Sequence, residues 1–337
     1  MQLSELGENG IIEYIKTRSF KPISDNSDII IGIGDDAAAL NINSKRGGGK
    51  GGNKLLVTTD LMTEGIHFDL SYTTYYQLGF KLISVNVSDI YAMAGSPAYA
   101  LLALSFPAAT KERDLNEFIK GILDALHLYN VALIGGDTCS SKRDVTISAT
   151  LLGYAAKPIY RDNAKVGDNI YVTGYTGDSA CGMELLKRIN NTVEIEKGVE
   201  LNVPLDWNIM SPLINRHLMP KVKMPDIKNI KVNSMMDISD GLATDLKKLC
   251  TASGIGAYVY QDRLPISSEL KIASEYLNID PITLCLNGGE DYEYLFTSSD
   301  SIDSAFCIGK IISNGFTLIN KDNIEKELRD FGYEHFK

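Results

Sequence analysis

The chain has 337 residues, enough for two domains of ordinary size, and 44% of them are hydrophobic, which allows a sizeable core. Its 33 basic and 43 acidic residues give a net charge of −10, which argues against a protein that binds nucleic acid or an anionic membrane through a basic face. The five cysteines lack CxxC spacing, so the composition disfavours a zinc site and favours reduced thiols in a cytoplasm.

The first half of the chain alternates strand-like and helical segments. Apolar periodicity predicts helices at residues 3–16, 76–93 and 114–128, and strands at residues 29–33, 38–42, 55–59, 98–105, 131–134 and 145–152. The strand at 131–134 is apolar throughout, which is typical of a buried strand. This alternation of elements indicates an α/β or α+β fold.

The second half repeats the alternation after residue 158. Helices are predicted at residues 179–189, 242–252 and 268–277, and strands at residues 169–173, 234–238, 257–260, 292–297 and 306–312. Residues 190–231 contain four prolines and the only tryptophan, and this composition predicts an irregular segment. We therefore expect a mixed α/β protein with two domains, at residues 1–153 and 154–337.

The densest run of glycine and lysine, RGGGKGGNK at residues 46–54, raises the question of a phosphate-binding loop. A Walker A motif needs GxxxxGK[ST] ahead of a helix. Here Asn53 and Lys54 follow Gly52, and the next residues, LLVTTD, are strand-like, so that no helix N-terminus would face a phosphate. We predict a solvated loop between two strands.

Aspartates recur beside glycine, serine or threonine at the ends of apolar strands. They are Asp35 and Asp36 in GIGDDAA, Asp60 in LLVTTD, Asp137 in LIGGDT, and Asp237 and Asp240 in MMDISDGL. A single aspartate after a strand is commonly a turn former or a helix cap. Several of them indicate a shared site, because converging carboxylates repel one another unless a cation such as Mg²⁺ neutralises them.

Asp89 differs from these, because it falls inside a predicted helix. Leu78, Leu82 and Val85 form an apolar stripe, and Asp89 lies on the same face. Burying an unpaired carboxylate costs several kcal/mol. Asp89 is therefore either hydrogen-bonded to a neighbour such as Asn86 or a metal ligand, and we favour the metal ligand.

Two turns lead from a strand into a helix in the second half. In MMDISDGLATDL, either Ser239 or Asp240 can cap the following helix. In VTGYTGDSACG, the backbone N–H groups of the glycine-rich turn could hold an anion.

These motifs, in this order, resemble the thiamine-monophosphate kinase family, which belongs to the superfamily of aminoimidazole ribonucleotide synthetase. The matching motifs run over nearly the whole chain: GIGDDAA, TTDLMTEGIHF, VNVSDIYAMAGSP, LIGGDT, YRDNAKVGD, VTGYTGDSACG, RHLMP, DISDGLATDL, LNGGEDYEYLF and GYEHF. GIGDDAA and DISDGL are shared more widely, whereas TEGIHF, LNGGEDYE and GYEHF together are specific to the kinase.

The resemblance implies an N-terminal sheet that pairs across a homodimer, with ATP and several Mg²⁺ ions in a cleft near the dimer interface. It implies that thiamine monophosphate is phosphorylated to thiamine diphosphate by direct in-line transfer from ATP, without a general base. The implied metal ligands are Asp35, Thr58, Thr59, Asp60, Asp89, Asp137, Asp237 and Asp240. The implied ATP contacts are Gly136, Asp137, Arg161 and Ser239, and the implied substrate contacts are His67, Glu290 and Tyr333.

The substrate chemistry suits the residues that the kinase-specific motifs carry. Thiamine monophosphate contains a cationic thiazolium, an aminopyrimidine and a phosphate. Tyr333 can stack on the flat cation, and Glu290 can attract the cation or pair with the amino group. Alternatively, Tyr333 is a C-terminal aromatic that seals an edge of the core.

Two departures from the family pattern and two rival functions remain. The sequence after GGDT is CSSKR, so the arginine usual there is missing and Lys142 or Arg143 would have to replace it; the insert at 44–53 is also longer than usual. The rivals are another ATP-using synthetase of the superfamily and a non-catalytic nucleotide- or cation-binding protein. The first cysteine, Cys139, lies too late for selenophosphate synthetase, and the end GYEHFK lacks the cysteine of the hydrogenase-maturation member.

Overall fold

The computed structural model describes residues 3–19, 28–41, 53–193, 203–329, 332–333 and 335, and it arranges them as two β-sheets with helices packed on them. This confirms the mixed α/β class. The glycine-lysine run up to Gly52, and with it most of the insert, lies outside the described residues. The element that follows the run is a strand, as predicted, and it begins at Lys54.

The first sheet has six strands, in the order β1-β2-β3-β6-β4-β5. Its strands are β1 (Ile29–Ile31), β2 (Ala38–Leu40), β3 (Lys54–Thr63), β4 (Ser96–Pro107), β5 (Ala132–Ser141) and β6 (Thr146–Ala155). The helices of this half are α1 (Leu3–Ser19), α2 (Tyr75–Ala92) and α3 (Glu112–Leu128). Neighbouring strands are antiparallel except β4 and β5, which are parallel. The domain boundary after residue 153 stays a prediction.

Helices α2 and α3 pack tightly, and residues of both contribute to the core of the first half. The two helices approach each other at Gly79 and Gly121, where an added Cβ would overlap a backbone carbonyl of the other helix. The opposite face of the sheet carries exposed apolar side chains: Leu61 is 58% exposed, Tyr99 is 39% exposed and Leu101 is 36% exposed. The first sheet therefore has one buried face and one open apolar face.

Strand β5 corrects the prediction of a buried strand at 131–134. It lies at the edge of the sheet, and all its residues except Ser141 are exposed. An apolar run does not distinguish a strand inside a core from an edge strand whose apolar side chains are open to a partner.

The second sheet has seven strands, in the order β13-β12-β9-β11-β7-β10-β8. Its strands are β7 (Asn169–Val172), β8 (Ser234–Asp237), β9 (Gly256–Tyr260), β10 (Tyr294–Ser298), β11 (Phe306–Ile312), β12 (Phe316–Ile319) and β13 (Glu325–Glu327). The helices are α4 (Asp178–Ile189), α5 (Trp207–Leu218), α6 (Leu242–Ser253), α7 (Ser268–Leu277) and α8 (Pro281–Asn287). The short elements α8, β12 and β13 were not predicted.

Helix α5 corrects the prediction that residues 190–231 are irregular. Asp206 caps it by accepting a hydrogen bond from the Asn208 N–H at 2.8 Å, and the helix buries Leu213 and Ile214 in a core cluster that it shares with α4 and α7. The helix accommodates Pro212. Tertiary packing here outweighs the low helix propensity that proline confers.

Helix α2 connects the two halves. Ala92, at its last turn, packs in a cluster with Tyr171, Met235 and Phe296 of the second sheet. The end of α2 is thereby held against β8. Within the ranges that the structure describes, no helix has both the length and the apolarity to cross a membrane.

Candidate active site

A cleft of about 740 Å³ brings together motif residues from both halves of the chain. Among the residues that line it are Asp60, His67, Asp89, Asp237, Ser239, Asp240, Glu290 and Tyr333. A second cavity, of about 580 Å³, is lined by none of the site residues that the sequence predicted. The first cleft is therefore the candidate active site.

Three carboxylates converge beside this cleft. One oxygen each of Asp36, Asp89 and Asp237 lies within 4.8 Å of the other two. Asp36 lies just before β2, Asp89 in the last turns of α2 and Asp237 at the end of β8. The contact between α2 and β8 is what brings Asp89 and Asp237 together.

Burial and mutual repulsion raise the pKa values of these carboxyl groups. Burial, followed by neighbouring carboxylates, raises the pKa of Asp89 and of Asp237 well above the usual range. Burial raises the pKa of Asp36 to about 7, although Arg161 opposes the shift, and burial with the nearby Asp240 raises the pKa of Asp60 to about 6. Such a set binds a cation favourably, because the cation removes the repulsion.

Hydroxyl groups orient two of the three carboxylates. Thr58 Oγ1 donates to Asp89 Oδ2 at 2.5 Å, and Ser88 Oγ donates to Asp237 Oδ2 at 2.8 Å. Within the described ranges, the buried Asp36 Oδ2 has no hydrogen-bond partner. Oxygen ligands with a free lone pair at this position fit a hard cation such as Mg²⁺.

Asp35, which was predicted to bind the metal, has a different role from Asp36. Arg161 forms ion pairs with both, and its Nε lies 3.4 Å from Asp35 Oδ1. Asp35 Oδ2 also accepts the backbone N–H of Arg161 at 3.2 Å. Asp35 therefore fixes Arg161, and Asp36 is the member of the pair that joins the cluster.

Asn86 is not the partner of Asp89 that the alternative interpretation required. Its amide donates to the carbonyl of Leu82 at 2.9 Å, and its oxygen accepts the N–H of Asp60 at 3.1 Å. The partner of Asp89 is Thr58, a predicted metal residue that instead holds the carboxylate.

Two other predicted metal residues do not reach the cluster. Thr59 alternates with Thr58 along β3, so its hydroxyl lies on the open face, where it donates to the Ala149 carbonyl at 3.1 Å. Asp137 lies on β5, where it pairs with Ala103 of β4, and β5 is three strands from β3 in the sheet, which is about 14 Å. Register places it on the open face as well, since Ala103 is exposed there.

The other residues of the LIGGDT region lie on the same edge strand. A Cβ on Gly136 would overlap the backbone carbonyl of Leu102, so glycine is needed for β5 to pack here. Lys142 and Arg143, the substitutes considered for the missing arginine, are both exposed just beyond β5. Within one chain, these residues are separate from the cleft.

The helix caps of the second half differ from the predicted ones. The carboxylate of Asp245, inside α6, accepts the N–H groups of Ser239, Asp240 and Gly241 at 3.0–3.2 Å, so neither Ser239 nor Asp240 is the cap. Asp240 instead forms an ion pair with Lys248.

The glycine-rich turn before α4 does not offer its amides to an external anion. Asp291 accepts the N–H of Gly177 at 2.6 Å and that of Ser179 at 3.0 Å. An internal carboxylate thus occupies the position that we had considered for an anionic ligand.

The predicted substrate residues lie on the wall of the cleft. Glu290 forms an ion pair with Lys81 Nζ at 2.8 Å, and its other carboxylate oxygen lies 3.1 Å from His217 Nδ1. The rings of His67 and His335 are 5.0 Å apart, and the Tyr333 hydroxyl lies 3.0 Å from His335 Nδ1. Burial lowers the pKa of His67, which favours the neutral ring at pH 7.

Tyr333 does not seal the core, because it is 48% exposed while it lines the cleft. Sequence reasoning missed Lys81, His217 and Asp245, which hold other site residues in place. Lys81 carried a signal that could have been used, since it is a lysine within the apolar helix LGFKLISV. His217 lies in the motif RHLMP, but that motif does not indicate Glu290 as its partner, and Asp245 carried no signal because it accepts from backbone N–H groups.

Comparison with known proteins agrees with this architecture. Residues 34–155 match the family model "AIR synthase related protein, N-terminal domain", and residues 165–306 match "AIR synthase related protein, C-terminal domain". The chain is 34% identical to thiamine-monophosphate kinase of Aquifex aeolicus over the full length of both proteins. It is 33% identical to thiamine-monophosphate kinase of Escherichia coli strain K12, over 93% of this chain and 94% of that protein.

A solved structure, "AaThiL complexed with AMPPCP and TMP", has the same fold. It superimposes with a TM-score of 0.82 and 33% sequence identity, and 99% of each chain is covered.

Proposed function

The chain belongs to the thiamine-monophosphate kinase family, and we propose that its cleft transfers the γ-phosphoryl group of ATP to the phosphate of thiamine monophosphate. One observation carries this proposal. A single cleft is lined both by members of the acidic cluster, such as Asp89 and Asp237, and by residues of the kinase-specific motifs, His67, Glu290 and Tyr333.

The reaction does not require a general base. The acceptor is a phosphate oxygen, and a phosphate monoester has a second pKa of about 6, so that it is largely deprotonated near pH 7. The main difficulty is the approach of two anions. Mg²⁺ ions, when bound by the carboxylates, supply positive charge that stabilises the transferring phosphoryl group.

The side chains of the proposed site position the reactants. Asp36, Asp89 and Asp237 would hold one cation, and Asp60 and Asp240 line the cleft where further cations would lie. In the same cleft, His67, Glu290 and Tyr333 would hold the thiamine moiety. Ser239 also lines the cleft, and its carbonyl accepts the N–H of Glu290 at 2.8 Å, so it would contact ATP close to the thiamine moiety. The ATP role of Arg161 stays a proposal.

An assay of ATP consumption separates this function from its rivals. We expect Mg²⁺-dependent formation of ADP and thiamine diphosphate when thiamine monophosphate is added, and no comparable turnover with aminoimidazole ribonucleotide precursors. ATP binding without turnover on thiamine monophosphate would support the non-catalytic rival.

The proposed location is the cytoplasm, which agrees with five free cysteines.

The open apolar face of the first sheet supports a homodimer. Leu61, Tyr99 and Ile134 are exposed on this face and its edge, and a lone edge strand such as β5 is a site for pairing with another chain. In such a dimer, β5 would bring Gly136 and Asp137 into a covered interface, where contacts to ATP could form.

We expect sedimentation at micromolar concentration to give a dimer, twice the chain mass of 37.0 kDa. Ile134→Lys should produce monomers, because it places an unpaired charge on the edge strand. Leu123→Lys is the matched control, since Leu123 is 51% exposed on α3 and away from this face. A monomeric wild-type protein would contradict the proposal.

Deletion of residues 47–52 should leave turnover and the KM for ATP within about twofold of the wild type, because shortening a loop changes its closure entropy little. The element that follows the deleted residues is β3, which begins at Lys54, and a strand has no helix N-terminus to face a phosphate. Steady-state kinetics with varied ATP is the measurement. A tenfold rise in the KM for ATP would show that the run binds nucleotide.

A further inference from the structure

Glu290 is held by a cation from the other half of the molecule. Lys81 lies in α2, and its side chain is only 3% exposed, whereas the side chain of Glu290 is 28% exposed and lines the cleft. Their charged atoms are 2.8 Å apart. A buried lysine needs such a partner, so the pair is a fixed feature of the cleft wall.

The backbone around Glu290 is also fixed. Glu290 and Tyr292 have φ angles of 65° and 53°, in the left-handed region that residues other than glycine rarely adopt. Their N–H groups donate to the carbonyls of Ser239 at 2.8 Å and Ile238 at 3.0 Å. Strained backbone that is held by such bonds is typical of binding sites, and here it directs the Glu290 carboxylate to Lys81.

The formal charges of Lys81, Glu290 and His217 sum to zero at pH 7. Lys81 is a cation and Glu290 an anion, and Lys81 with His217 holds the pKa of Glu290 below its usual range despite burial. Burial and Lys81 lower the pKa of His217, so its ring is neutral at pH 7 and adds no charge. A cationic ligand beside Glu290 would be attracted by Glu290 and repelled by Lys81, so Lys81 weakens the net electrostatic attraction.

The carboxylate still has acceptor capacity. One Glu290 oxygen is close to Lys81 and the other is close to His217, yet two carboxylate oxygens together offer about four lone-pair sites. The remaining sites can accept hydrogen bonds from a ligand in the cleft. Because Lys81 and His217 fix the orientation of the carboxylate, these lone-pair sites point in a defined direction.

We propose that Lys81 offsets the charge of Glu290, so that Glu290 recognises the exocyclic amino group of the thiamine pyrimidine chiefly as a hydrogen-bond acceptor and not as a counter-ion for the thiazolium ring. In this arrangement Lys81 is a positioning residue, and Glu290 determines specificity for an amino-substituted ring. The inference rests on the proposed function.

The test compares two ligands by isothermal titration with Mg²⁺ present: thiamine monophosphate and its analogue in which hydrogen replaces the pyrimidine amino group. Both ligands are cations. The proteins are the wild type and the double variant Lys81→Met/Glu290→Met, which removes both charges together and leaves no buried charge unpaired. Glu327→Met/Arg329→Met is the control, because this pair is exposed and does not line the cleft.

We expect the wild type and the control to prefer thiamine monophosphate by at least about tenfold, since the analogue leaves a hydrogen bond unmade. In the Lys81→Met/Glu290→Met variant, the preference should fall below about threefold, because only the amino-bearing ligand loses affinity. Equal losses for both ligands would show a counter-ion and overturn the inference.

The wild-type measurement does not depend on whether the variant folds. A wild type that phosphorylates thiamine monophosphate but binds both ligands equally would overturn this inference alone. A wild type that neither binds nor phosphorylates thiamine monophosphate would overturn the proposed function as well.

Discussion

Asp89→Asn should yield folded protein whose turnover is reduced at least about a hundredfold, because a lost metal ligand removes charge stabilisation worth several kcal/mol. Asparagine keeps the shape of the side chain and an acceptor for the Thr58 hydroxyl, which now donates to Asp89 at 2.5 Å. Steady-state kinetics with saturating ATP and Mg²⁺ is the measurement. The exposed Asp303 does not line the cleft, so Asp303→Asn is the control and should retain wild-type turnover.

Thermal unfolding distinguishes a metal ligand from a structural aspartate. Without Mg²⁺, the Asp89→Asn protein should be at least as stable as the wild type, since one of three converging carboxylates is gone. With saturating Mg²⁺, the wild type should gain several degrees in Tm and the variant little. Near-normal turnover, or a large drop in Tm without Mg²⁺, would assign Asp89 a structural role.

The gain from Mg²⁺ should also depend on pH. The pKa values of Asp36 and Asp60 are raised to about 7 and about 6 in the folded protein. Folding therefore favours their protonated forms, and their contribution to the free energy of unfolding falls as pH rises from about 4 to about 7. Because Mg²⁺ competes with these protons, the Tm gain should be larger at pH 8 than at pH 5.5.

Glu290→Ala should weaken binding of thiamine monophosphate at least about tenfold and change ATP binding less than about threefold, because Glu290 lines the cleft and its proposed partner there is the thiamine moiety. Isothermal titration of both ligands with Mg²⁺ present is the measurement. Glu275→Ala, at an exposed position of α7, is the control. An equal loss of ATP affinity would place Glu290 in the metal cluster or the scaffold.

The alanine variant should also be less stable. Removal of Glu290 leaves Lys81 buried without its ion-pair partner, which costs about 3–5 kcal/mol. Glu290→Gln retains an acceptor oxygen for Lys81, so it should fold more stably than Glu290→Ala. If both variants show the same selective loss of thiamine monophosphate affinity, that loss does not arise from destabilisation.

Local patterns were sufficient to predict most helices and strands, because the apolar periodicity that indicates such an element lies within one segment of the chain. The apolar stripe of α2, with Leu78 and Leu82 fully buried, was visible in the sequence, and so was the position of Asp89 on the cleft side of that helix. The motifs that carry His67, Glu290 and Tyr333 predict a shared substrate site; all three line the same cleft, and their contact with substrate stays a prediction.

Long-range packing decided the elements that local patterns misjudged. Helix α5 forms despite Pro212, because it buries Leu213 and Ile214 in the core cluster that it shares with α4 and α7. Strand β5 looked like a core strand, yet it is an exposed edge, because burial depends on which strands are neighbours and not on apolarity alone.

Which residues belong to the acidic cluster also depends on long-range packing, so only the tertiary structure could show it. The sequence alone determined that Asp36, Asp89 and Asp237 belong to acidic motifs, but the packing of α2 against β8 decided that they form one cluster. Side-chain alternation along β3 excluded Thr59 from it. The pairing of Lys81 with Glu290 joins segments far apart in the chain, so only folding, which sets the direction and burial of both side chains, could determine it.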